Sequence, residues 1–405
     1  GYKVTFVQNF TDIDDKMIRR AQEEGTTVAE LGERFIAEYK KDAKALGVRE
    51  ATVHPRATQH IGDIIALVQK LVDKGLAYAT ADGVYFDTQA YDHYGRLSGQ
   101  DLEALEAGAR INVDEQKRHP MDFAVWKAEK PGEPAWDSPW GRGRPGWHIE
   151  CSAMSMKYLG DTLDIHCGGQ DLIFPHHENE VAQSEGATGR PFARYWMHNG
   201  YINIDNQKMS KSAGNFFTVR DIGQQYDLMA VRFFLLSAHY RSPVNFAKAQ
   251  MEQAEAALSR LKTAYDNLAY RAEHAPEGAA DPKVDEAVEK LRQDFDAAMD
   301  DDLNTADAIA ALFEYVRVIN GSLTDAGTRQ SAQAALDGLM EISDVLGFAY
   351  ATEAAIPQEI LDMAAARAAA RAAKDWAQSD RLRDEIAAQG YVVEDTREGQ
   401  KVRKA

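Results

Sequence analysis

The stretch from Asp161 to Glu185, DTLDIHCGGQDLIFPHHENEVAQSE, constrains the fold more than any other part of the chain. DTLDIHCGG reads as a strand running into a glycine turn, and PHHENEVAQSE reads as the helix that follows. Pro175 suits the first turn of that helix, where a missing N–H has no helical partner to lose. Strand, glycine turn and helix in succession are the local grammar of a parallel α/β sheet, so an α/β fold is expected.

Other segments place the remaining elements. Tyr2 to Val7 alternates bulky and polar residues like a strand, and NFTDIDDK leads into a helix at about Asp14. Asp63 to Lys74 carries Ile64, Ile65, Leu67, Val68, Leu71 and Val72 at helical spacing, stopped by Gly75. GVYFDT (Gly83 to Thr88) reads as a short strand, while the Pro-, Gly- and Trp-rich run from Asp114 to Gly146 reads as irregular, within an insertion over 85–146. After Phe246 the chain turns alanine- and leucine-rich. Met251 to Tyr270, Pro282 to Met299, Thr305 to Asn320 and Ala332 to Leu346 predict an antiparallel helical bundle. Ile360 to Gln389 predicts a helical pair, and YVVEDTREGQKVRK two short strands around a turn. The expected division is an α/β domain over 1–248, an all-α bundle over 249–350 and a small α+β domain over 355–405.

At 405 residues and 44% apolar content, the chain can bury the cores of two or three domains. No apolar run reaches membrane-spanning length, so no membrane partner is expected. Cys151 and Cys167 are the only cysteines, too few for a disulfide framework, which fits a reducing cytoplasm. A net charge of -18 argues against nonspecific coating of nucleic acid. Residues from Ala366 to Ala405 depart from that average, with nine Lys/Arg against seven Asp/Glu. The chain starts GYKVTFV, without a methionine and within a strand-like pattern, and is read as lacking its natural beginning.

Three signatures carry chemistry: WHIEC (Trp147 to Cys151), HCGGQDLIFPHHENE (His166 to Glu180) and KMSKS (Lys208 to Ser212). His176 and Glu180 are four apart and project from one helix face, and with the Cys151 thiolate they form a borderline donor set whose leading metal is Zn²⁺. His177 shares its face with Val181 and is read instead as a packing residue or as one that hydrogen-bonds near the nucleotide. Gly168 and Gly169 let backbone approach a ligand closely, and Asp171 can accept from ribose hydroxyls. Lys208 and Lys211 can neutralise charge building on a pyrophosphate leaving group, which makes ATP the expected nucleotide. His60-Ile61-Gly62-Asp63 opens an amphipathic helix and is read as helix N-terminus chemistry, not as a nucleotide motif.

TDIDDK, PMDFAVWK, GRPGWHIECSAM, DLIFPHHENE, KMSKSAGNFFTVRD, HYRSPVNF, AMDDDLNTADA and KDWAQSDRLRDEI together resemble the cysteinyl-tRNA synthetases, class I aminoacyl-tRNA synthetases, over essentially the whole chain. The resemblance implies a Rossmann-type catalytic domain, incomplete here, followed by a tRNA-binding bundle and an anticodon-binding domain. It implies ligation of L-cysteine to tRNA(Cys) through a cysteinyl-adenylate, with ATP and Mg²⁺, by a cytoplasmic monomer. Cys151, His176 and Glu180 match zinc ligands, Thr11 and Trp147 match positions lining the amino-acid pocket, and Lys211 matches the ATP-binding lysine. Coordination suits the task, because a thiolate is a good Zn²⁺ ligand and a hydroxyl a poor one, whereas apolar pockets separate near-isosteres by only about 10–200-fold.

The family's first strand, its HIGH loop and a fourth zinc ligand, a cysteine, precede the segment that begins this sequence, so weak or absent aminoacylation by these residues alone is expected. Two alternatives are a cysteine ligase acting on an amino-sugar, as in mycothiol biosynthesis, and a noncatalytic tRNA-binding relic. For tRNA contact the candidates are Trp376, Arg381, Arg383 and Arg403, with Trp376 equally readable as core of the small domain.

Overall fold

The structure, a computed structural model, describes all residues except 101–115, 205–206, 210–216, 324–326, 351–356, 397–398 and 405. The chain forms two compact units, Gly1–Phe348 and Ala349–Ala405.

In the first unit, helix α1 (Asp15–Glu24) starts where the Asp14 carboxylate accepts from the Met17 N–H, and Gly25 ends it in a left-handed conformation. Helix α2 (Val28–Ala45) opens on a capping box between Thr27 and Glu30. Helix α3 (Ile61–Asp73) buries Ile61, Ile64, Leu67, Val68 and Leu71 as its spacing predicts. His60 precedes it, held by the Arg56 carbonyl at 2.7 Å and the Tyr158 hydroxyl at 2.9 Å.

The segment Tyr2 to Val7 does not form the expected strand. Only isolated parallel bridges join Val7 to Val53 and Phe10 to Arg56, and Tyr2 and Val4 are exposed. Alternation promotes a strand only where one face is covered, and here the bulky face is bare.

The expected irregular insertion is also corrected. Strands β1 (Ala77–Thr80), β2 (Gly83–Phe86), β3 (Phe123–Ala128) and β4 (Gly143–Pro145) form one antiparallel sheet in sequence order. Its Trp126, Val84 and Phe86 pack with the buried face of α3. β2 is the strand expected at Gly83 to Thr88; the Pro/Gly/Trp composition hid β3 and β4, because Trp126 is a core residue with Trp136 and Trp140 packed against it and the glycines mark close backbone approach. At Gly143, a Cβ would lie 2.2 Å from the Lys127 carbonyl oxygen.

Helix α4 (Trp147–Leu159) follows, then β5 (Leu163–Gly169), a π-type turn at Ile173–His177, α5 (Glu178–Thr188) and β6 (Ala193–Asn199). Strands β5 and β6 pair in parallel, as the strand–turn–helix pattern requires. The regular helix starts at Glu178, so Pro175 sits in the preceding turn and not in the helix itself. Strand β7 (Ile202–Ile204) pairs antiparallel with β8 (Gln207–Lys208) and parallel with β9 (Val244–Phe246). Between β8 and β9 lie the short helix α6 (Val219–Gly223) and α7 (Leu228–Leu236).

Helices α8 (Lys248–His274), α9 (Pro282–Asp300), α10 (Thr305–Ser322) and α11 (Arg329–Leu346) then follow, matching the four predicted bundle segments to within a few residues. They bury apolar stripes such as Val284, Val288, Leu291 and Phe295.

In the second unit, α12 (Gln358–Ala372) and α13 (Trp376–Ala388) pack with the hairpin β10 (Tyr391–Thr396) and β11 (Gly399–Lys404). Ile360, Ala364, Ile386 and Val393 form their small core. No helix among the described residues is long and apolar enough to cross a membrane.

Candidate metal and amino-acid site

Helix α4 can begin at Trp147 because Gly146 lets the chain pass against β3; a Cβ there would lie 1.9 Å from the Ala124 carbonyl oxygen. Trp147 and Cys151, four apart, share one face of the helix. Across from them lies Gly168, near the end of β5, where a Cβ would come within 2.5 Å of the His177 ring. The absent side chain therefore makes room for that imidazole. Gln183 ties α4 to α5, donating to the His148 carbonyl and to the Ser152 hydroxyl, each at 3.0 Å.

These supports bring Cys151, His176 and Glu180 together. One ligand atom from each lies within 4.8 Å of the others. Glu180 is fully buried, and its Oε2 lies 3.1 Å from His166 Nε2, 3.7 Å from His176 Nε2 and 3.8 Å from His177 Nε2. Its other oxygen, Oε1, is buried without a hydrogen-bond partner. His176 Nδ1 lies 2.9 Å from His148 Nδ1, which leaves Nε2 as the nitrogen facing Glu180. Such engagement of one ring nitrogen is what orients an imidazole for metal binding through the other. The Trp147 ring lies 4.4 Å from the His176 ring, tilted by 38°, and remains partly exposed.

His177 is not confined to the Val181 face. The turn before α5 is not regular helix, so both His176 and His177 approach Glu180, and His166, His177 and Glu180 form a second ligand-like trio. His177 also engages His198 at 2.8 Å. The residues that sequence reasoning missed are His148, His166, His198 and Asn9, whose side-chain amide lies 3.5 Å from Cys151 Sγ. A signal was present, since five of the eleven histidines fall between His148 and His198.

The electrostatics follow from burial. Burial pushes the imidazoles of His148 and His177 down to about 3 and lowers His176, so all three favour the neutral, lone-pair-bearing form. For His166 burial acts the same way, but the Glu180 carboxylate outweighs it and raises the ring above its ordinary value. Burial would likewise raise Glu180, yet the surrounding histidines, His166 first, hold it below the usual carboxylate range. Burial, then the charges of Glu180 and Glu150, push the Cys151 thiol well up. Only a cation could readily offset that penalty on its thiolate.

Thr11 is half-buried in the loop before α1. Asp171 is exposed in the short 3-10 turn Gln170–Leu172 that follows Gly168 and Gly169. Lys208 closes β8, its backbone paired with Asn203, while Lys211 lies outside the described residues. In the second unit, Trp376 is 56% exposed, which overturns its reading as core; the Arg371 guanidinium lies 5.7 Å from its ring. Trp376 is the first residue of α13, and the small core fills without it. Arg381 is exposed, Arg383 pairs with Asp380 and Asp384 at 3.3 and 3.5 Å, and the side chain of Arg403 lies outside the described ones.

Comparison with known proteins identifies the family. Residues 1–256 match the family model of the class I (C) tRNA synthetase catalytic domain, and residues 294–350 match the DALR domain. A methionyl-tRNA synthetase of Mycobacterium tuberculosis, solved in complex with methionyl-adenylate, shares the fold. It has a TM-score of 0.59 at 14% identity, over 85% of this chain and 82% of that one. Family model and fold together define a class I tRNA synthetase. Residues 354–403 further match the cysteinyl-tRNA ligase anticodon binding domain. The cysteine–tRNA ligase of Caldicellulosiruptor saccharolyticus is 56% identical over all of this chain and 88% of its own length. That of Clostridioides difficile is 52% identical over 99% and 87%. The chain belongs to the cysteine–tRNA ligase family, and its activity is cysteine–tRNA ligation. The amino-sugar and noncatalytic alternatives are set aside by these relatives.

Proposed function

We propose that the chain joins L-cysteine to ATP as cysteinyl-adenylate and passes the cysteinyl group to tRNA(Cys), with Cys151, His176 and Glu180 holding Zn²⁺. The observation that carries this reading is the convergence of those three side chains, with one oxygen of Glu180 buried and unpartnered. A buried acceptor without a partner is costly unless something fills the place, and thiolate, imidazole and carboxylate are donors that suit zinc. Bound there, zinc would supply a soft acceptor for the substrate thiolate that a serine hydroxyl could not satisfy.

The protein's own groups divide the remaining work. His148 fixes the orientation of His176, and His166 holds Glu180 at its Oε2. Trp147 and Thr11 wall the amino-acid pocket. The Gly168–Gly169 turn and Asp171 receive the nucleotide and its ribose, with Mg²⁺ accompanying ATP. Lys208 and Lys211 stabilise negative charge as the cysteine carboxylate attacks the α-phosphate and pyrophosphate leaves. The tRNA 3′-terminal hydroxyl then attacks the carbonyl carbon and AMP departs. Residues 1–248 carry out activation, while 249–350 and 355–405 hold the tRNA, with Trp376, Arg381, Arg383 and Arg403 as anticodon-side contacts.

Metal analysis combined with cysteine-dependent ATP–pyrophosphate exchange tests this. Near-stoichiometric zinc is expected in the unsubstituted chain and little in the Cys151→Ala, His176→Ala double variant. Full zinc retention by the double variant overturns the assignment.

A further inference from the structure

The junction between α9 and α10 holds two adjacent non-glycine residues in the left-handed region, Asp302 at φ 57° and Leu303 at φ 56°. L-residues avoid this conformation, and it persists where surrounding contacts impose it. The contacts here come from one short segment. Asp302 Oδ1 accepts from the Tyr240 hydroxyl at 2.8 Å, Oδ2 accepts from Arg241 Nε at 2.5 Å, and His239 Nε2 lies 3.6 Å from Oδ2. Beside them, the Thr305 hydroxyl donates to the Leu236 carbonyl at the end of α7 at 2.7 Å. A single exposed ion pair contributes little to stability. Three consecutive side chains converging on one carboxylate, itself held in a disfavoured backbone conformation, instead fix a position.

What that position controls is read from the backbone of the gripped segment. The Arg241 carbonyl accepts from Gln170 Nε2 at 3.0 Å, and Gln170 stands between Gly169 and Asp171 in the proposed nucleotide turn. The Tyr240 carbonyl accepts from the Gly200 N–H at 2.7 Å, and the approach is so close that a Cβ on Gly200 would lie 2.5 Å from the Ser242 carbonyl carbon. Three residues beyond Arg241, β9 pairs with β7, and β7 pairs with β8, which ends at Lys208. The Met209 N–H donates back to the Ile202 carbonyl at 3.0 Å. One carboxylate in the helical bundle thus anchors the backbone on which both the nucleotide turn and the start of KMSKS rest.

From this geometry we infer that Asp302 is a positioning residue for ATP, acting through Arg241 and Gln170. The inference rests on the ATP site proposed above. It predicts that loss of the carboxylate weakens the ATP half of the site and spares the cysteine half.

The test uses the full chain with Asp302→Gly, which keeps the left-handed backbone without strain, and Asp302→Asn, which tolerates it and keeps the side-chain shape. ATP affinity is measured by equilibrium dialysis with Mg²⁺, and KM values for ATP and cysteine by pyrophosphate exchange. Both variants should bind ATP about tenfold more weakly, within the range that small misplacements near reacting groups cost. The KM for cysteine should stay within about twofold of the unsubstituted value, a split that general loss of structure would not produce. Unchanged ATP affinity in Asp302→Gly, or equal rises in both KM values, overturns the inference. Lys211→Ala separates the two layers. If it weakens ATP binding while Asp302→Gly does not, the site stands and the positioning role falls. If the unsubstituted chain itself binds no ATP, the site assignment falls and the inference with it.

Discussion

Two polar clusters, one centred on Arg144 and one on Glu180, are built on opposite principles. In one, the Arg144 side chain, 4% exposed, donates to Glu133 at 2.8 Å and pairs with Asp15, which also receives Lys127 at 2.7 Å. Arg144 leaves no nitrogen buried and unpartnered. In the other, Glu180 is fully buried, crowded by three imidazoles, and still keeps one oxygen without a partner. A closed cluster holds elements together. An open one retains capacity for a ligand, and its desolvation cost is offset only when that ligand arrives. Arg144 and Glu180 are both buried and charged, so burial of a charged side chain does not by itself mark a functional site; unsatisfied capacity among converging ligand atoms does.

The largest effect should come from closing the open cluster artificially. Glu180→Gln keeps the shape and removes the charge. Bound zinc should become substoichiometric and cysteine-dependent exchange should fall by more than about 100-fold, beyond what loss of an outer partner costs. Full zinc occupancy in this variant would mean that Glu180 is a structural carboxylate, and the contrast between the clusters would collapse. Arg144→Met should do the reverse. It leaves Glu133 without its cation and should cost about 3 kcal/mol of unfolding free energy, measured by denaturant titration, at unchanged zinc stoichiometry. Loss of zinc with little loss of stability would show that the closed cluster is part of the site.

The sequence made some of this legible and hid the rest for physical reasons. Helical spacing from Ile64 to Val72 and through the bundle announced itself because only a helix gathers residues so spaced onto a single face that can be buried. Cys151, His176 and Glu180 could be picked out because their residue types are donors and two of them are a helical turn apart. The restriction of His177 failed because it assumed regular helix through a turn that is not regular. His148, His166 and His198 come from the start of α4 and from β5 and β6, so only tertiary structure brings them to the cluster. Arg144 gave no sign at all. A surface arginine and a buried one read alike until the partners, Asp15 and Glu133, fold against it.

A smaller and sharper test falls on His166, which pairs with Glu180 without belonging to the Cys151 trio. His166→Asn should lower zinc affinity by roughly 10–100-fold in chelator competition, the range for a group that orients a ligand from behind. An unchanged affinity would mean that the Glu180 rotamer is set by packing alone.

The smallest effect belongs to the closed cluster and to its pH dependence. Burial would raise the Asp15 carboxyl, but hydrogen bonds from Lys127 and Arg144 outweigh it and bring the group from 3.8 to about 2. A carboxylate depressed in the folded chain stabilises it above the unfolded pKa, and that contribution fades as pH falls through about 4 towards about 2. The Asp15 side chain is 65% exposed, so solvent screening keeps the contribution below about 1 kcal/mol. The unfolding free energies of the unsubstituted chain and Asp15→Asn should therefore differ slightly at pH 6 and converge on acidification. Added salt should shrink the gap at pH 6 as well, because the pair is screened where it meets water. A gap that widens as pH falls would show that Asp15 is held by something other than its two cations, and the closed cluster would no longer be closed by charge.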